Sequence, residues 1–227
     1  MKIVKIWRTV QTTGSSPTVV LTKYHVKTSW QERFAAVLNE YSISCLSAPG
    51  NIMAEAYYEN GDPFTMWTME RWKTRAFYSN NKRSVAAKAV NALIKTGLAS
   101  PVETTFIKVL ELISNEVPGN DSATGDQPVT IMLTIDVQTG AEDGFKSINR
   151  DLVLALRNEP GILVFQFGQI LHHKTGFIIW KKFLNWNMFQ YHLKEPALEP
   201  VMKFLQDFVK EPPFEKGYHH LIKFAPL

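Results

Sequence analysis

The stretches "SAPGNIM" (47–53) and "NEPGILV" (158–164) decide the fold, because they show one pattern twice. Each follows a segment with helical periodicity, contains a Pro-Gly pair and opens an apolar run. Proline cannot continue the hydrogen bonds of a helix, and glycine tolerates the turn that follows. Since Pro49 and Pro160 are 160 − 49 = 111 residues apart, the pair predicts a small domain that is duplicated at this spacing.

The predicted elements agree in type and order between the two copies. Each copy begins with a β-like run rich in Val, Ile and Thr, continues with an amphipathic helix, and ends in a strand. In the first copy we predict strands at 18–26, 51–59, 64–72 and 104–112, with a second helical region at 74–96. In the second copy we predict strands at 129–137, 162–171, 176–183 and 215–224, with a helical region at 185–210. The order β-α-β-β-α-β is that of a ferredoxin-like unit.

This repeat predicts the domain organisation. We expect an N-terminal extension at 1–17, a first ferredoxin-like domain at 18–113, a linker at 114–128 and a second such domain at 129–227. The linker is polar and rich in Gly, Pro, Asn and Asp, as is typical of connecting segments.

The strands indicate how the two domains are arranged. A ferredoxin-like sheet carries helices on one face and leaves the other face bare. In the predicted strands "FTMWTMERW" (64–72) and "GFIIWKKF" (176–183), large apolar side chains occur at both odd and even positions. Since these positions point to opposite faces of a strand, the pattern indicates that both faces are covered. We therefore expect an α+β fold in which two tandem ferredoxin-like units pack sheet to sheet, as a dimeric α/β-barrel within one chain. The space between the sheets could hold an apolar ligand.

Composition excludes several classes of protein. With 45% hydrophobic residues in 227, the chain is an ordinary globular protein. Its net charge of +4 is spread out, which argues against a nucleic-acid surface. The basic and aromatic stretch 71–83 fits a nucleic-acid backbone or the solvated side of a short helix. The single cysteine, Cys45, rules out an internal disulfide, and no apolar run is long enough to cross a membrane. We expect a cytoplasmic protein with no nucleic-acid or membrane partner.

The two copies resemble the antibiotic biosynthesis monooxygenase domains. That family has Pro-Gly before the second strand, Glu-x-Trp at the end of the third, and a histidine about nine residues later. The first copy has the Pro-Gly pair, Glu70 and Trp72, but Asn81 where the histidine is expected. The second copy has the Pro-Gly pair and His192, but Lys181 for the glutamate and Phe183 for the tryptophan. Each copy therefore keeps part of the pattern.

The resemblance implies a fold and a reaction. The family has dimeric α/β-barrel folds and oxidises quinols or polyketide phenols with O2, often without metal or flavin. We therefore expect a small aromatic substrate, O2 as co-substrate and no cofactor. The protein would be either a monomer with an internal pseudo-dimer or a homodimer. The alternative is a non-catalytic barrel that binds a small apolar ligand or acts in assembly or regulation.

Oxygenation without a cofactor requires a base that ionises a phenol and a dry pocket that protects the anion. We predict His192 as the base, with Glu70 and Asn81 as polar partners. The aromatic side chains predicted to form the substrate-binding walls are Trp72, Trp67, Tyr58, Phe167 and Trp180. Alternatives stay open for each of these residues. His192 could be a helix-face histidine with a local bond or in contact with solvent, and Glu70 could form an ion pair with a nearby cation such as Lys82 or Arg83. Asn81 could cap a helix, and the strand aromatics could be ordinary core residues.

The sequence predicts no metal site. The pairs His172-His173 and His219-His220 are the obvious candidates for metal ligands. Adjacent residues on a strand point to opposite faces, so neither pair can chelate one ion alone.

Overall fold

The computed structural model describes residues 17–115 and 127–226. Most of the predicted linker and all but the last residue of the predicted N-terminal extension lie outside the described residues. The elements below belong to these two ranges.

Each copy has the predicted β-α-β-β-α-β order. The first copy contains β1 (Thr18–His25), α1 (Gln31–Leu46), β2 (Asn51–Glu59), β3 (Asp62–Trp72), α2 (Arg75–Asn81), α3 (Val85–Gly97) and β4 (Glu103–Ser114). The second contains β5 (Val129–Asp136), α4 (Glu142–Leu156), β6 (Ile162–Ile170), β7 (Gly176–Phe183), α5 (Trp186–His192), α6 (Glu199–Asp207), α7 (Pro213–Lys216) and β8 (Tyr218–Ala225). Short 3-10 helices span Thr28–Trp30 and Pro196–Leu198. The predicted α+β fold class is confirmed.

The backbone repeats at the predicted spacing. Val26 pairs with Leu98 in an isolated antiparallel bridge, and Val137 pairs with Val209 in another. Since 137 − 26 and 209 − 98 are both 111, the two bridges occupy equivalent positions in the copies. The duplication inferred from the two Pro-Gly pairs therefore holds in three dimensions.

The two Pro-Gly turns are constrained in the same way. Gly50 has φ +76° and Gly161 has φ +83°, in the left-handed region that favours glycine. A Cβ atom on Gly50 would lie 2.3 Å from the ring of Phe77, and one on Gly161 would lie 2.3 Å from the Met188 side chain. Glycine is thus required both by the backbone conformation and by the close approach of the next helix.

The strands are antiparallel, in the hydrogen-bonding order β1-β3-β2-β8-β5-β7-β6-β4 of a closed barrel. The register places Glu70 of β3 beside Val20 of β1 and Ala54 of β2. In the same way, Lys181 of β7 lies beside Ile131 of β5 and Phe165 of β6. Equivalent strands therefore present Glu70 and Lys181 at equivalent places.

The chain divides into two compact units, and the boundaries between them fall within β4 and at the start of β8. The N-terminal unit contains the described residues up to Val109, together with Ile170–His172 and the strand from His219 onward. The C-terminal unit contains the remaining described residues, from Leu110 to Tyr218. The end of β4 thus belongs to the C-terminal unit and most of β8 to the N-terminal unit. The domain boundaries given by the sequence stay a prediction.

Each unit has its own apolar core between its helices and one face of its strands. In the N-terminal unit, α1 and α3 bury Phe34, Leu38 and Val90 against Val20 and Met66. In the C-terminal unit, α4 and α6 cover the corresponding face. All residues of β7, and those of β3 from Thr65 to Trp72, are buried, so both faces of these strands are covered as predicted.

The last predicted strand begins later than expected. Residues 215–217 were assigned to it, but Pro213–Lys216 form the helical turn α7 and the strand begins at Tyr218. Proline at the first helical positions favours this turn.

Candidate functional site

The N-terminal unit has a buried carboxylate that is fully engaged. Glu70 is only 2% exposed and faces α1. Tyr41 donates its hydroxyl to Oε1 at 3.0 Å, and Trp72 donates its indole N–H to Oε2 at 2.9 Å. The Cys45 thiol lies 4.0 Å from Oε2 and accepts a hydrogen bond of 3.1 Å from the Asn81 amide. These five residues are called the Glu70 cluster.

Burial controls the ionisation of the Glu70 cluster. Desolvation raises the pKa of Glu70, while the positive charge of Lys82 and the bonds from Trp72 and Tyr41 oppose the rise. Desolvation and the Glu70 charge raise the pKa of Cys45 to about 12. The thiol is therefore neutral at physiological pH, and the cluster is a closed network around one carboxyl group.

The C-terminal unit has a different group at the equivalent place. Lys181 is 9% exposed, and its Nζ lies 2.7 Å from Nε2 of His192, which is 1% exposed. The other ring nitrogen, Nδ1, lies 2.9 Å from both carboxylate oxygens of Glu159. A charged lysine can only donate, so Nε2 accepts, and the imidazole proton is on Nδ1 and points to Glu159. These three residues are called the Lys181 cluster.

Burial shifts the pKa values of this cluster towards neutral forms. Desolvation lowers the pKa of Lys181 to about 8, against the opposing charge of Glu159. Desolvation and the charge of Lys181 lower the pKa of His192 to about 3, so the imidazole is neutral. Desolvation, helped by the charge of Glu195, raises the pKa of Glu159 to about 7. Glu159 and the Lys181 amine thus both change charge close to neutral pH, whereas the imidazole stays neutral.

The Lys181 amine has spare hydrogen-bonding capacity. An ammonium group carries three donors. One points to His192, and among the described residues no second acceptor is bonded to Nζ. The ring of Phe165 lies 5.0 Å from Nζ, and the ring of Phe183 packs 5.0 Å from that of His192. The amine therefore has two free donor positions in aromatic surroundings, where an anionic oxygen would be bound well.

The predicted catalytic residues lie in two different clusters. Glu70 and Asn81 meet through Cys45, whereas His192 contacts Lys181 and Glu159. The imidazole uses both ring nitrogens within its own unit. The roles predicted for His192, Glu70 and Asn81 stay predictions.

The predicted wall residues are divided between the two faces of the strands. Trp72 lies beside Glu70, and Tyr58 stacks on Phe224 with ring centroids 4.1 Å apart. Phe167 packs in the core of the C-terminal unit. Trp67 is three residues from Glu70 on β3, and Trp180 is one residue from Lys181 on β7. Because side chains alternate along a strand, both tryptophans point to the face opposite Glu70 and Lys181. Trp67 donates to Glu59 at 2.9 Å. The structure therefore does not bring these five aromatic residues together.

Sequence reasoning missed Lys181, Glu159 and Tyr41 as members of the clusters. Lys181 was visible only as a departure from the family pattern. Glu159 directly precedes the second Pro-Gly pair, and Tyr41 lies on the apolar stripe of α1. The repeat was the signal that could have identified Lys181. At equivalent buried positions the first copy has a glutamate and the second has a lysine, so the charge has the opposite sign.

A surface depression of about 560 Å³ lies elsewhere in the N-terminal unit, and His25, Lys27 and Asp62 are among its lining residues. Thr65 links two of them, since its hydroxyl donates to Asp62 at 2.7 Å and lies 2.9 Å from Nδ1 of His25. None of the predicted site residues is in its lining. It is therefore a weaker candidate site than the two clusters.

Within residues 17–115 and 127–226, no three His, Cys, Asp or Glu side chains are grouped so that they could hold a metal ion. In the same ranges, no helix combines the length and apolar character needed to span a bilayer.

Solved structures share this fold over nearly the whole chain. A proposed monooxygenase from Fusobacterium nucleatum aligns with a TM-score of 0.80 and 16% identity, covering 94% of this chain and 99% of the other. A proposed monooxygenase from Lactobacillus acidophilus NCFM gives 0.76 and 10%, covering 92% and 94%. An anthrone oxidase-like protein gives 0.64 and 10%, covering 93% and 94%. At these identities the likeness is one of fold.

The sequence comparisons bear on the first copy. No curated protein matches the chain. Residues 17–93 match the family model described as "Antibiotic biosynthesis monooxygenase". This range contains the first Pro-Gly pair, the Glu-x-Trp motif and Asn81. The N-terminal copy is therefore similar in sequence to the family that its motifs resemble, over about a third of the chain.

Proposed function

We propose that this protein is a monooxygenase that oxidises a quinol or another electron-rich polyphenol with O2, without metal or flavin, and that the Lys181 cluster binds the substrate as a phenolate. The observation that carries the proposal is the buried amine, which has one acceptor among the described residues and donors for two more. The family of the N-terminal copy and the fold shared with proposed monooxygenases support the reaction class.

Lys181 both removes the phenol proton and holds the resulting anion. With its pKa lowered to about 8 by burial, a fraction of the amine is neutral near pH 7. The phenol proton passes to the neutral nitrogen, and the ammonium that forms is paired with the phenolate oxygen. Because water is excluded from this buried position, the ion pair is stronger than it would be in solvent.

His192 and Glu159 position the amine. Nε2 of His192 accepts one Nζ hydrogen and so fixes the side chain of Lys181, while Glu159 fixes the tautomer and orientation of the imidazole. His192 thus acts through Lys181, and not by touching the substrate.

The oxidation then follows from the electron-rich phenolate. The anion gives an electron to O2 far more readily than the neutral phenol does, and a carbon–oxygen bond forms between the ring and O2. Loss of water from the peroxide leaves a hydroxyquinone. For a hydroquinone, one oxygen atom of O2 enters the product, the other leaves as water, and the substrate supplies all four electrons.

The test is oxygen uptake with 1,4-naphthohydroquinone as the probe. Wild-type protein should consume O2 above the rate of autoxidation and place one ¹⁸O atom from ¹⁸O2 in the product. Lys181→Met should lower kcat/KM by about 100-fold or more, because both the base and the cation are lost. Replacing a buried charge by an apolar residue of similar size commonly preserves the fold, which thermal unfolding checks.

The matched control is Lys203→Met, at an exposed position of α6, which should keep the wild-type rate. Equal rates in wild type and Lys181→Met would refute the assignment to Lys181. Binding of the probe with no oxygen uptake by the wild type would refute the enzyme and favour the alternative of a non-catalytic barrel that binds a small aromatic ligand.

A further inference from the structure

Asn149 is a buried polar residue whose side-chain oxygen has no hydrogen-bond partner among the described residues. It lies in the middle of α4 with 0% exposure. Its amide N–H group donates to the carbonyl oxygen of Phe145 at 2.9 Å, in the preceding turn of the helix. Its Oδ1 atom is also buried, and no described residue gives it a hydrogen bond.

The other copy shows that the fold does not require a polar residue here. The equivalent position, 149 − 111 = 38, is Leu38, which has 0% exposure in the core of the N-terminal unit. The neighbours of Asn149 on its own helix, Leu152 and Val153, are also core residues. A buried carbonyl oxygen without a hydrogen-bond donor destabilises the folded state. Asparagine is thus kept at a place where leucine would be the more stable choice.

The repeat also places Asn149 close to the Lys181 cluster. Tyr41 of α1 contacts Glu70, and the residues equivalent to these two are Leu152 and Lys181. Leu152 is therefore expected over Lys181. Asn149 precedes Leu152 by three residues, a rise of about 4.5 Å along the same helix face. By this equivalence, the free donors of the amine and the free acceptor of the amide are expected in the same layer between α4 and β7.

We propose that Oδ1 of Asn149 accepts a hydrogen bond from a second hydroxyl group of the substrate whose first oxygen is bound by Lys181. This rests on the proposed function, since it takes the Lys181 cluster as the phenolate site. The site would then select aromatic compounds with two hydroxyl groups on opposite sides of a ring system. A compound with one hydroxyl group would leave Oδ1 unpaired and bind less tightly.

The test compares two probes in the absence of O2, so that binding is measured without turnover. The probes are 1,4-naphthohydroquinone and its monomethyl ether 4-methoxy-1-naphthol, and the measurement is titration calorimetry. Wild-type protein should bind the diol about tenfold or more tightly than the ether. Asn149→Leu should bind both equally and unfold at a higher temperature than wild type. Asn149→Ala, which adds no volume, should show the same loss of preference and serves if the leucine variant does not fold.

The outcomes separate this proposal from the proposed function. A preference for the diol that persists in both variants would overturn the role of Asn149, and so would a wild type that binds the two probes equally or not at all. The reaction class is judged by oxygen uptake alone, so a protein that consumes no O2 but loses its preference in Asn149→Leu would refute the oxidation and uphold the binding role.

Discussion

The Glu70 cluster and the Lys181 cluster occupy equivalent places in two copies of one domain, yet their chemistry is opposite. Glu70 receives hydrogen bonds from Tyr41 and Trp72, so its lone pairs are engaged within the protein. Within the part of the chain that the structure describes, Lys181 has one acceptor, His192, and two donors left over. We call the first cluster closed, because its carboxylate is hydrogen-bonded within the protein, and the second open, because its amine keeps unused donors. Under the proposed function, the first cluster supports the fold and the second binds the substrate.

The closed cluster should matter most for stability. Glu70→Leu leaves the buried hydroxyl of Tyr41 and the indole N–H of Trp72 without an acceptor, so the free energy of unfolding should fall by about 3 kcal/mol. Lys181→Met should cost little, because it removes a buried charge. Urea denaturation at pH 7 measures both. Similar losses in the two variants would show that the clusters do not differ in this way.

Much of this comparison was available from the sequence. The Pro-Gly pairs and the period-two and helical patterns gave the duplicated β-α-β-β-α-β order, because local propensity and tertiary structure agree in these segments. The late start of β8 was missed, since a helical turn at Pro213 competes with the strand pattern. Glu70, Trp72 and Asn81 lie in one cluster, where Asn81 reaches Glu70 through Cys45, but His192, which was predicted with them, lies in the other.

The open cluster could not be assembled in the same way. Glu159 and Lys181 are separated along the chain by a strand and a turn, and only their common contact with His192 unites them. A residue that departs from a family pattern has no motif to identify it. Strand alternation, by contrast, would have separated Trp67 and Trp180 from the residues facing the helices.

Replacing His192 should lower kcat/KM less than replacing Lys181, the residue that it positions. His192→Phe keeps the ring volume but removes the acceptor of the Nζ hydrogen, so kcat/KM with 1,4-naphthohydroquinone should fall by about tenfold. The ammonium form loses a stabilising bond, so the pKa of Lys181 should fall further. His192→Gln, whose amide oxygen can accept the same hydrogen, should restore much of the rate. A Gln variant no better than Phe would contradict the positioning role.

The smallest expected effect is the pH dependence of the wild type. Desolvation lowers the pKa of Lys181 from 10.5 to about 8, so the neutral base becomes more abundant as the pH rises towards 8. The value of kcat/KM should therefore rise up to about pH 8 and level off above it, a change of several-fold from pH 7. The rise should shift to lower pH in His192→Phe and be absent in Lys181→Met. A flat wild-type profile between pH 6.5 and 8.5 would exclude Lys181 as the base.

The most direct test of the difference between the clusters is the absorbance spectrum of bound 1-naphthol at pH 7, where the free compound is a neutral phenol. The spectrum should be that of the naphtholate in wild type and in Glu70→Gln, and that of the neutral phenol in Lys181→Met. A neutral spectrum in the wild type, or a naphtholate spectrum that survives in Lys181→Met, would contradict the account.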